Sequence, residues 1–168
     1  RMQVGRVDKT VRVFGERQIS MRGLAKKSGL SANALSMIER GKTSPSVSTL
    51  YKLSEAMGVE ITAFFGEPLE RKSIVFMKAA ERPRVSFQRG VWEDLGGENF
   101  VGRMEPFVLT LENGGGSGPN AMLHTGHEFV FCLRGMLEYQ IEDQVFLLEA
   151  GDSLIFAAKL RHRWRNPG

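Results

Sequence analysis

Twenty-two residues, Ser20 to Gly41 (SMRGLAKKSGLSANALSMIERG), constrain this chain more than any others. Their pattern predicts two short helices, about 20–27 and 31–39, joined by a glycine turn. Ser20 and Ser31 each offer a hydroxyl that can accept an orphan N–H at a helix start. Gly29 falls where the chain must pass through the left-handed region, which glycine enters without strain. Leu24, Ala25, Leu35 and Ile38 recur on one side and imply a shared core. Ala32, Asn33, Ser36, Met37 and Arg40 are left on the outer side.

A short helix pair with a small, polar and basic outer face suits the DNA major groove. An ordinary helical hairpin would show the same periodicity. Charge favours the first reading. The 168-residue chain carries a formal net charge of +4, but residues 1–72 hold a net +6 and residues 73–168 a net −2. Phosphate contact is therefore expected from the N-terminal part and not from the rest.

Around the pair, residues 4–15 predict a first helix. Ser46 caps a fourth, with Val47, Leu50, Leu53 and Met57 on one face and Gly58 as its stop. A fifth is expected from Thr62 to Phe65. Leu24-Ala25, Gly29-Leu30-Ser31, Leu35-Ser36, Ile38-Glu39-Arg40-Gly41-Lys42, Pro45-Ser46, Thr49-Leu50, Leu53, Ala56 and Gly58 stand at fixed spacing. With them the segment from about 4 to 66 resembles the lambda-repressor-like helix-turn-helix of the xenobiotic-response-element (XRE) family of regulators. That resemblance implies a five-helix domain that binds double-stranded operator DNA as a dimer.

Aligned to that family, Ala32, Asn33, Ser36 and Met37 face the groove. Asn33 is the best base reader, since its amide can pair bidentately with adenine, while Ala32 and Met37 suit a thymine methyl. Arg40, Lys42, Thr43 and Ser44 lie where phosphates are gripped, with Ser20, Met21 and Ser31 at the helix starts. Met21 takes a position often polar in the family. Arg40 could instead serve only to close its own helix.

Glu67-Pro-Leu-Glu-Arg-Lys72 is polar and contains proline, so it reads as a linker. From residue 73 the runs turn short, apolar or alternating. Ile74–Met77, Val85–Gln88, Phe107–Leu111, Glu128–Leu133, Leu137–Ile141, Val145–Leu148 and Ser153–Ala157 predict strands. Asn113-Gly-Gly-Gly-Ser-Gly118 predicts a flexible loop and Glu142-Asp143 a hairpin turn. The expected architecture is α+β in two domains. A helical domain spans 1–66, a linker 67–72, and an antiparallel β-barrel of jelly-roll type 73–168.

Two spaced sets stand out in the second domain. One is Gly116-x5-Met122-x-His124-x3-Glu128-x6-Gly135. The other is Gly151-x5-Ala157-x-Lys159-x2-His162-x3-Asn166. Residues two apart on a strand share a side, so positions 122 and 124 can both face the barrel interior. These spacings resemble the two motifs of the cupin family, with 15 residues between Gly135 and Gly151. The resemblance implies a site for a divalent metal (zinc, iron, manganese or nickel) held by His124, Glu128 and His162. Three positions depart from the pattern: Met122 replaces a histidine, and Ala157 and Lys159 replace a proline and a glycine. Methionine is a poor ligand for a hard divalent ion. His127 should point to the opposite face. Without a metal, the two histidines would be hydrogen-bonded pocket groups, or Glu128 would pair with a base such as Arg103.

Met122, Phe107 (or Val108), Val130, Cys132, Phe156 and Trp164 are candidates to line a small-molecule effector pocket, or simply a core. Cys132 is the single cysteine, so no disulfide forms within the chain, which fits a reducing cytoplasm. No apolar run of about 18 residues predicts a membrane span, and no signal peptide is seen. Neither Arg1-Met2 nor Asn166-Pro167-Gly168 reads as a natural end, so flanking residues are expected.

Together these readings predict a non-enzymatic transcription regulator, a repressor by family habit. Its barrel would bind an effector and pair two copies. The alternative is a mononuclear metal-dependent cupin enzyme. The layout also resembles an iron epoxidase that acts on a hydroxyalkyl phosphonate, and dioxygenase chemistry would use a similar ligand set.

Overall fold

The computed structural model describes residues 19–66 and 70–168. The helix expected over 4–15 lies outside them. Three α-helices follow: α1 (Met21–Ser28), α2 (Ala32–Glu39) and α3 (Val47–Met57). Each starts on a serine. Ser20 Oγ accepts from the Gly23 N–H at 3.1 Å, Ser31 Oγ from Ala34 at 3.0 Å, and Ser46 Oγ from Thr49 at 3.2 Å. Gly29 closes α1 with a φ of 70°, a backbone state that side chains disfavour. Ile61–Phe65, where a short fifth helix is expected, forms a 3₁₀ helix. Five residues bounded by the Gly58 turn and Gly66 are too few for the costly nucleation of an α-helix.

Eight strands follow: β1 (Arg84–Phe87), β2 (Gly90–Asp94), β3 (Phe107–Leu111), β4 (His127–Phe131), β5 (Met136–Ile141), β6 (Gln144–Glu149), β7 (Ser153–Ala157) and β8 (His162–Arg165). They form three sheets, ordered β1-β2-β3, β4-β7 and β6-β5-β8. The described sheets include antiparallel pairs, and the two-domain α+β class holds.

The chain divides into two compact units, but not at residues 67–72. Of the described residues, one unit holds 19–45, 50–66, 70–87 and 91–110; the other holds 46–49, 88–90 and 111–168. Aromatic packing explains the first grouping. Phe65 meets Trp92 edge-on at 5.4 Å and stacks on Phe107 at 5.4 Å, and Trp92 meets Phe107 at 5.0 Å. The Thr62 hydroxyl also donates to the Glu98 carboxylate. Leu24, Leu35, Ile38, Leu50, Leu53 and Phe64 are buried, as the helical periodicity requires.

Ile74–Met77 is not a strand. Val75 and Met77 cover Gly96, where an added Cβ would come within 2.7 Å of Val75 Cγ1, and Ile74 and Phe76 stay exposed.

In the second unit, β4 pairs with β7 so that Glu128 lies opposite Phe156 and Phe129 opposite Ile155. Tyr139 of β5 lies between Phe146 of β6 and Trp164 of β8. A two-residue turn at Glu142-Asp143 joins β5 to β6, with Glu142 at a φ of 49°. Residues 113–118 are laced down rather than loose. Ser117 is fully buried, donates its N–H to the Trp164 carbonyl at 2.9 Å and accepts from the Trp164 N–H through Oγ at 3.1 Å. Its carbonyl accepts from the Ser48 N–H at 2.8 Å. Gly118 admits no side chain, since a Cβ there would lie 2.6 Å from Ser48 Oγ.

Candidate functional site

The first candidate surface is the outer side of α2. Leu35 and Ile38 are buried, which fixes the helix's rotation. Ala32 and Asn33 are then exposed, and Ser36 and Met37 half-buried. Arg40 folds back on this helix: its guanidinium donates to Ser36 Oγ through Nε at 3.1 Å and Nη2 at 2.6 Å. Its own N–H donates to the Ser36 carbonyl at 3.1 Å. Arg40 therefore closes the helix and presents a joint Ser36–Arg40 donor group. Lys42, Thr43 and Ser44 follow in the exposed turn. Ser20 and Ser31 are at work as caps, and Met21 is half-buried at the start of α1.

The second candidate site lies in the other unit. Met122 and His162 exchange backbone hydrogen bonds of 2.7 and 2.9 Å, which brings the segment before β4 alongside β8. Glu128 arrives from β4. His124, Glu128 and His162 converge so that one ligand atom from each lies within 4.8 Å of the others. Glu128 Oε1 is 2.8 Å from His124 Nε2 and 3.1 Å from His162 Nε2. The two imidazole rings meet edge-on at 5.3 Å. His162 is fully buried, while His124 and Glu128 are each about a quarter exposed, so the cluster opens to one side.

The second ring nitrogens are also held. His124 Nδ1 lies 3.0 Å from the Thr125 carbonyl and His162 Nδ1 lies 2.7 Å from the Leu160 carbonyl. A carbonyl can only accept, so Nδ1 carries the proton in each ring. Each Nε2 lone pair then faces an acceptor, the Glu128 carboxylate. Three acceptor atoms converging on one point require a positive charge among them, either extra protons on the rings or a metal cation. Backbone carbonyls fixing the ligating tautomer are the usual outer support of a histidine-bound metal. The residues fit a two-histidine, one-carboxylate metal set with open positions.

Glu128 has a third partner that the sequence reading lacked. Tyr139 is buried on β5 and its hydroxyl donates to Glu128 Oε2 at 2.7 Å. Burial pushes the Glu128 carboxyl up, but in the metal-free site hydrogen bonds from His124 and His162, each then carrying a proton on Nε2 as well, and from Tyr139 outweigh it and hold it at about 2. The alternation of Leu137, Tyr139 and Ile141 was the available signal, since it puts a polar-tipped aromatic on an inward face. Arg103 is exposed, and Glu128 bonds to these three groups instead. His127 is exposed, on the face of β4 opposite Glu128.

The residues proposed to line a pocket separate. Phe156 joins the site, edge-on to His162 at 5.0 Å and to Tyr139 at 5.6 Å. Met122 is buried beside His162, Val130 shares the inward side of β4 with Glu128, and Cys132 is buried just past the end of that strand. The Cys132 thiol turns to the Arg134 and Gly135 carbonyls, each 3.7 Å away. Trp164 is buried two residues along β8 from His162. Phe107 does not belong with them. It packs against Phe65 and Trp92 in the other unit, because the aromatic residue ending the 3₁₀ helix claims it.

Family models decide the layout. Residues 9–64 match the helix-turn-helix model and residues 107–168 match the cupin domain model. The chain joins a helix-turn-helix domain to a cupin domain. This helix-turn-helix–cupin layout is that of XRE-type regulators. The HTH-type transcriptional regulator PuuR of Escherichia coli (strain K12) is 26% identical over 157 residues, 88% of this chain and 80% of that protein. The HTH-type transcriptional regulator SutR of Escherichia coli (strain K12) is 25% identical over 153 residues, 91% of this chain and 82% of that protein. Among solved structures, an HTH_3 family transcriptional regulator from Vibrio cholerae superimposes with a TM-score of 0.61 at 20% identity, covering 95% of this helix-turn-helix–cupin chain and 86% of that one. The likeness shows a shared fold. Among the described residues, no helix is long and apolar enough to cross a membrane.

Proposed function

We propose that this chain is a sequence-specific, DNA-binding transcriptional regulator, a repressor acting in the cytoplasm, whose cupin domain binds a small-molecule effector through a divalent metal. The observation that carries the DNA half is the rotation of α2. With Leu35 and Ile38 buried, Ala32 and Asn33 face solvent in a helix whose small side chains can approach base edges. Asn33 reads a base, Ala32 and Met37 contact thymine methyls, and Lys42, Thr43 and Ser44 grip phosphates. Ser36 and Arg40 act as one donor group. The strands close into a cupin barrel.

His124, Glu128 and His162 hold the metal, which supplies a Lewis-acidic point for an effector's oxygen or nitrogen. Tyr139 fixes the carboxylate, and Phe156 and Met122 give the pocket apolar walls. Two copies read two half-sites about one helical turn apart. The effector acts by preferring one DNA-binding state over the other, so effector and DNA affinities are coupled reciprocally.

Selection of binding sites from a random duplex library tests this. The full chain, loaded with iron, manganese, zinc or nickel in turn, should enrich one motif with two related halves. Failure to enrich any motif with any metal would overturn the regulator. It would turn attention to the enzyme reading, for which the open triad would suit oxygen chemistry.

A further inference from the structure

Strand β8 has two unlike sides. His162 and Trp164 are buried on the inner one, and Arg163 and Arg165 stand exposed on the outer one. Their cross-strand neighbours on β5 face outward with them, Gln140 opposite Arg163 and Glu138 opposite Arg165. Arg165 donates to both Glu138 oxygens, through Nε at 2.7 Å and Nη2 at 2.9 Å. Arg163 donates through Nε to Gln140 Oε1 at 2.7 Å, and Gln140 Nε2 in turn donates to the Glu142 carbonyl at 3.2 Å. A cross-strand contact thus orients each guanidinium. Arg163 keeps both Nη groups for a further partner, and Arg165 keeps Nη1.

A third guanidinium joins them from the turn between β1 and β2. Arg89 has a φ of 60°, a left-handed state usually taken by glycine or asparagine. Its Nη1 donates to the Asn113 carbonyl at 3.2 Å. The glycine-rich loop is shaped around these side chains. A Cβ on Gly114 would come within 2.8 Å of Arg89 Nη1, and one on Gly116 within 3.0 Å of Arg165 Cβ. The three arginines, with Gln88, Glu138 and Gln140, line a groove of about 570 Å³. Among the described residues, Glu138 is the only carboxylate in its wall, so the groove is net positive.

We propose that this groove binds a small organic anion, a carboxylic acid or a phosphate monoester, at a second ligand site separate from the histidine–glutamate cluster. A guanidinium fork matches the paired oxygens of either group. The forks are already held through Nε, so little side-chain freedom is lost when an anion arrives. The volume falls within the range of about 300–1,000 Å³ usual for small-molecule sites, and the Gln88 and Gln140 amides suit a polar remainder. Arg89 adds a separate sign. A long side chain kept in a strained turn that glycine would relax marks a position held for its chemistry. Residues 73–168 carry a net −2, which disfavours a polyanion such as DNA and favours a small one.

Isothermal titration calorimetry on the full chain tests the groove, with glycerol phosphate and succinate as separate probes at constant ionic strength. Wild type, Arg89→Gly, Arg163→Gln and Glu128→Ala would be compared, with circular dichroism reporting the fold. At least one probe should bind wild type, and the tighter one names the acid class. Arg89→Gly, which suits the backbone of its turn, and Arg163→Gln should each weaken binding by about 10-fold or more. Glu128→Ala, on the other face of the domain, should leave it unchanged. Binding that survives both arginine variants and disappears in Glu128→Ala would put the anion on the histidine–glutamate cluster and overturn the proposal. Equal binding by all four proteins, or none by wild type with either probe, would overturn it too. If Arg163→Gln fails to fold, unchanged binding in Arg89→Gly overturns the proposal by itself.

Discussion

Tyr139 Oη donates to Glu128 Oε2 at 2.7 Å, which leaves Oε1 alone to face both imidazoles. The carboxylate is thereby held in a one-oxygen ligating pose. Tyr139→Phe keeps the ring packing and removes this donor. Metal affinity should fall by about 10–100-fold, and the metal-free protein should lose about 1–3 kcal/mol. Chelator competition and urea unfolding measure the two effects. Unchanged affinity would mean that Glu128 orients itself.

Glu128 also predicts acid sensitivity of the metal-free protein. Its folded value of about 2 lies below the ordinary 4.5. Its stabilisation is therefore complete above about pH 4.5 and is lost as pH falls towards 2. The difference corresponds to roughly 3 kcal/mol as an order of magnitude. Urea midpoints across that window should fall in wild type and fall less in Glu128→Gln. Parallel curves would show that the carboxylate is not held down.

Removing any one ligand should empty the site. His124→Ala, Glu128→Ala and His162→Ala are each expected to lose stoichiometric metal by elemental analysis after reconstitution. Wild type should retain it at neutral pH. A wild type that takes up none of the four metals would make the cluster a hydrogen-bonded pocket.

On the DNA side, Asn33 and Lys42 should behave differently. Asn33→Ala should cost about 1–3 kcal/mol at one base position and relax the preference there. Lys42→Ala should weaken every sequence similarly and flatten the salt slope by about one unit. Fluorescence anisotropy on a panel of single-base variants separates the two. A base-specific loss in Lys42→Ala would move that residue into the reading set.

Phe65→Ala should destabilise by about 3–5 kcal/mol, because its buried ring meets both Trp92 and Phe107. Urea unfolding measures the loss. A cost below about 1 kcal/mol would show that Trp92 and Phe107 close over the gap.

The sequence carried the helix pair well because its cues are local. Serine caps and a left-handed glycine act within a few residues, and Ser20, Ser31 and Gly29 sit as their chemistry demands. The triad was legible through the resemblance of two spaced motifs to those of the cupin family, since His124 lies before β4 and His162 on β8, and no local cue brings them together. Tyr139 was not, because its role depends on which strand lies beside β4 in space. Phe107 was misassigned for the opposite reason. Its alternation says inward, but only packing against Phe65 decides which interior. Ile74–Met77 has strand composition but finds no ladder. β2 was missed because its turn uses Arg89 at a φ of 60° where a glycine would have been the visible sign. β8 was missed because Arg161, Arg163 and Arg165 mask an alternation whose inward members are His162 and Trp164.

Strand β4 has a consequence for how this chain tolerates insertions. Side chains alternate with period two, so a one-residue slip of β4 against β7 would turn Glu128 outward and bring Phe129 among the histidines. The span between His124 and Glu128, with Gly126 at a φ of 92°, sets that phase. One residue added or removed there would abolish the ligand set and drive Phe129 into the site in the same event. Its length is therefore fixed from two sides, and drift in this protein should be confined to its chemistry and not its count of residues.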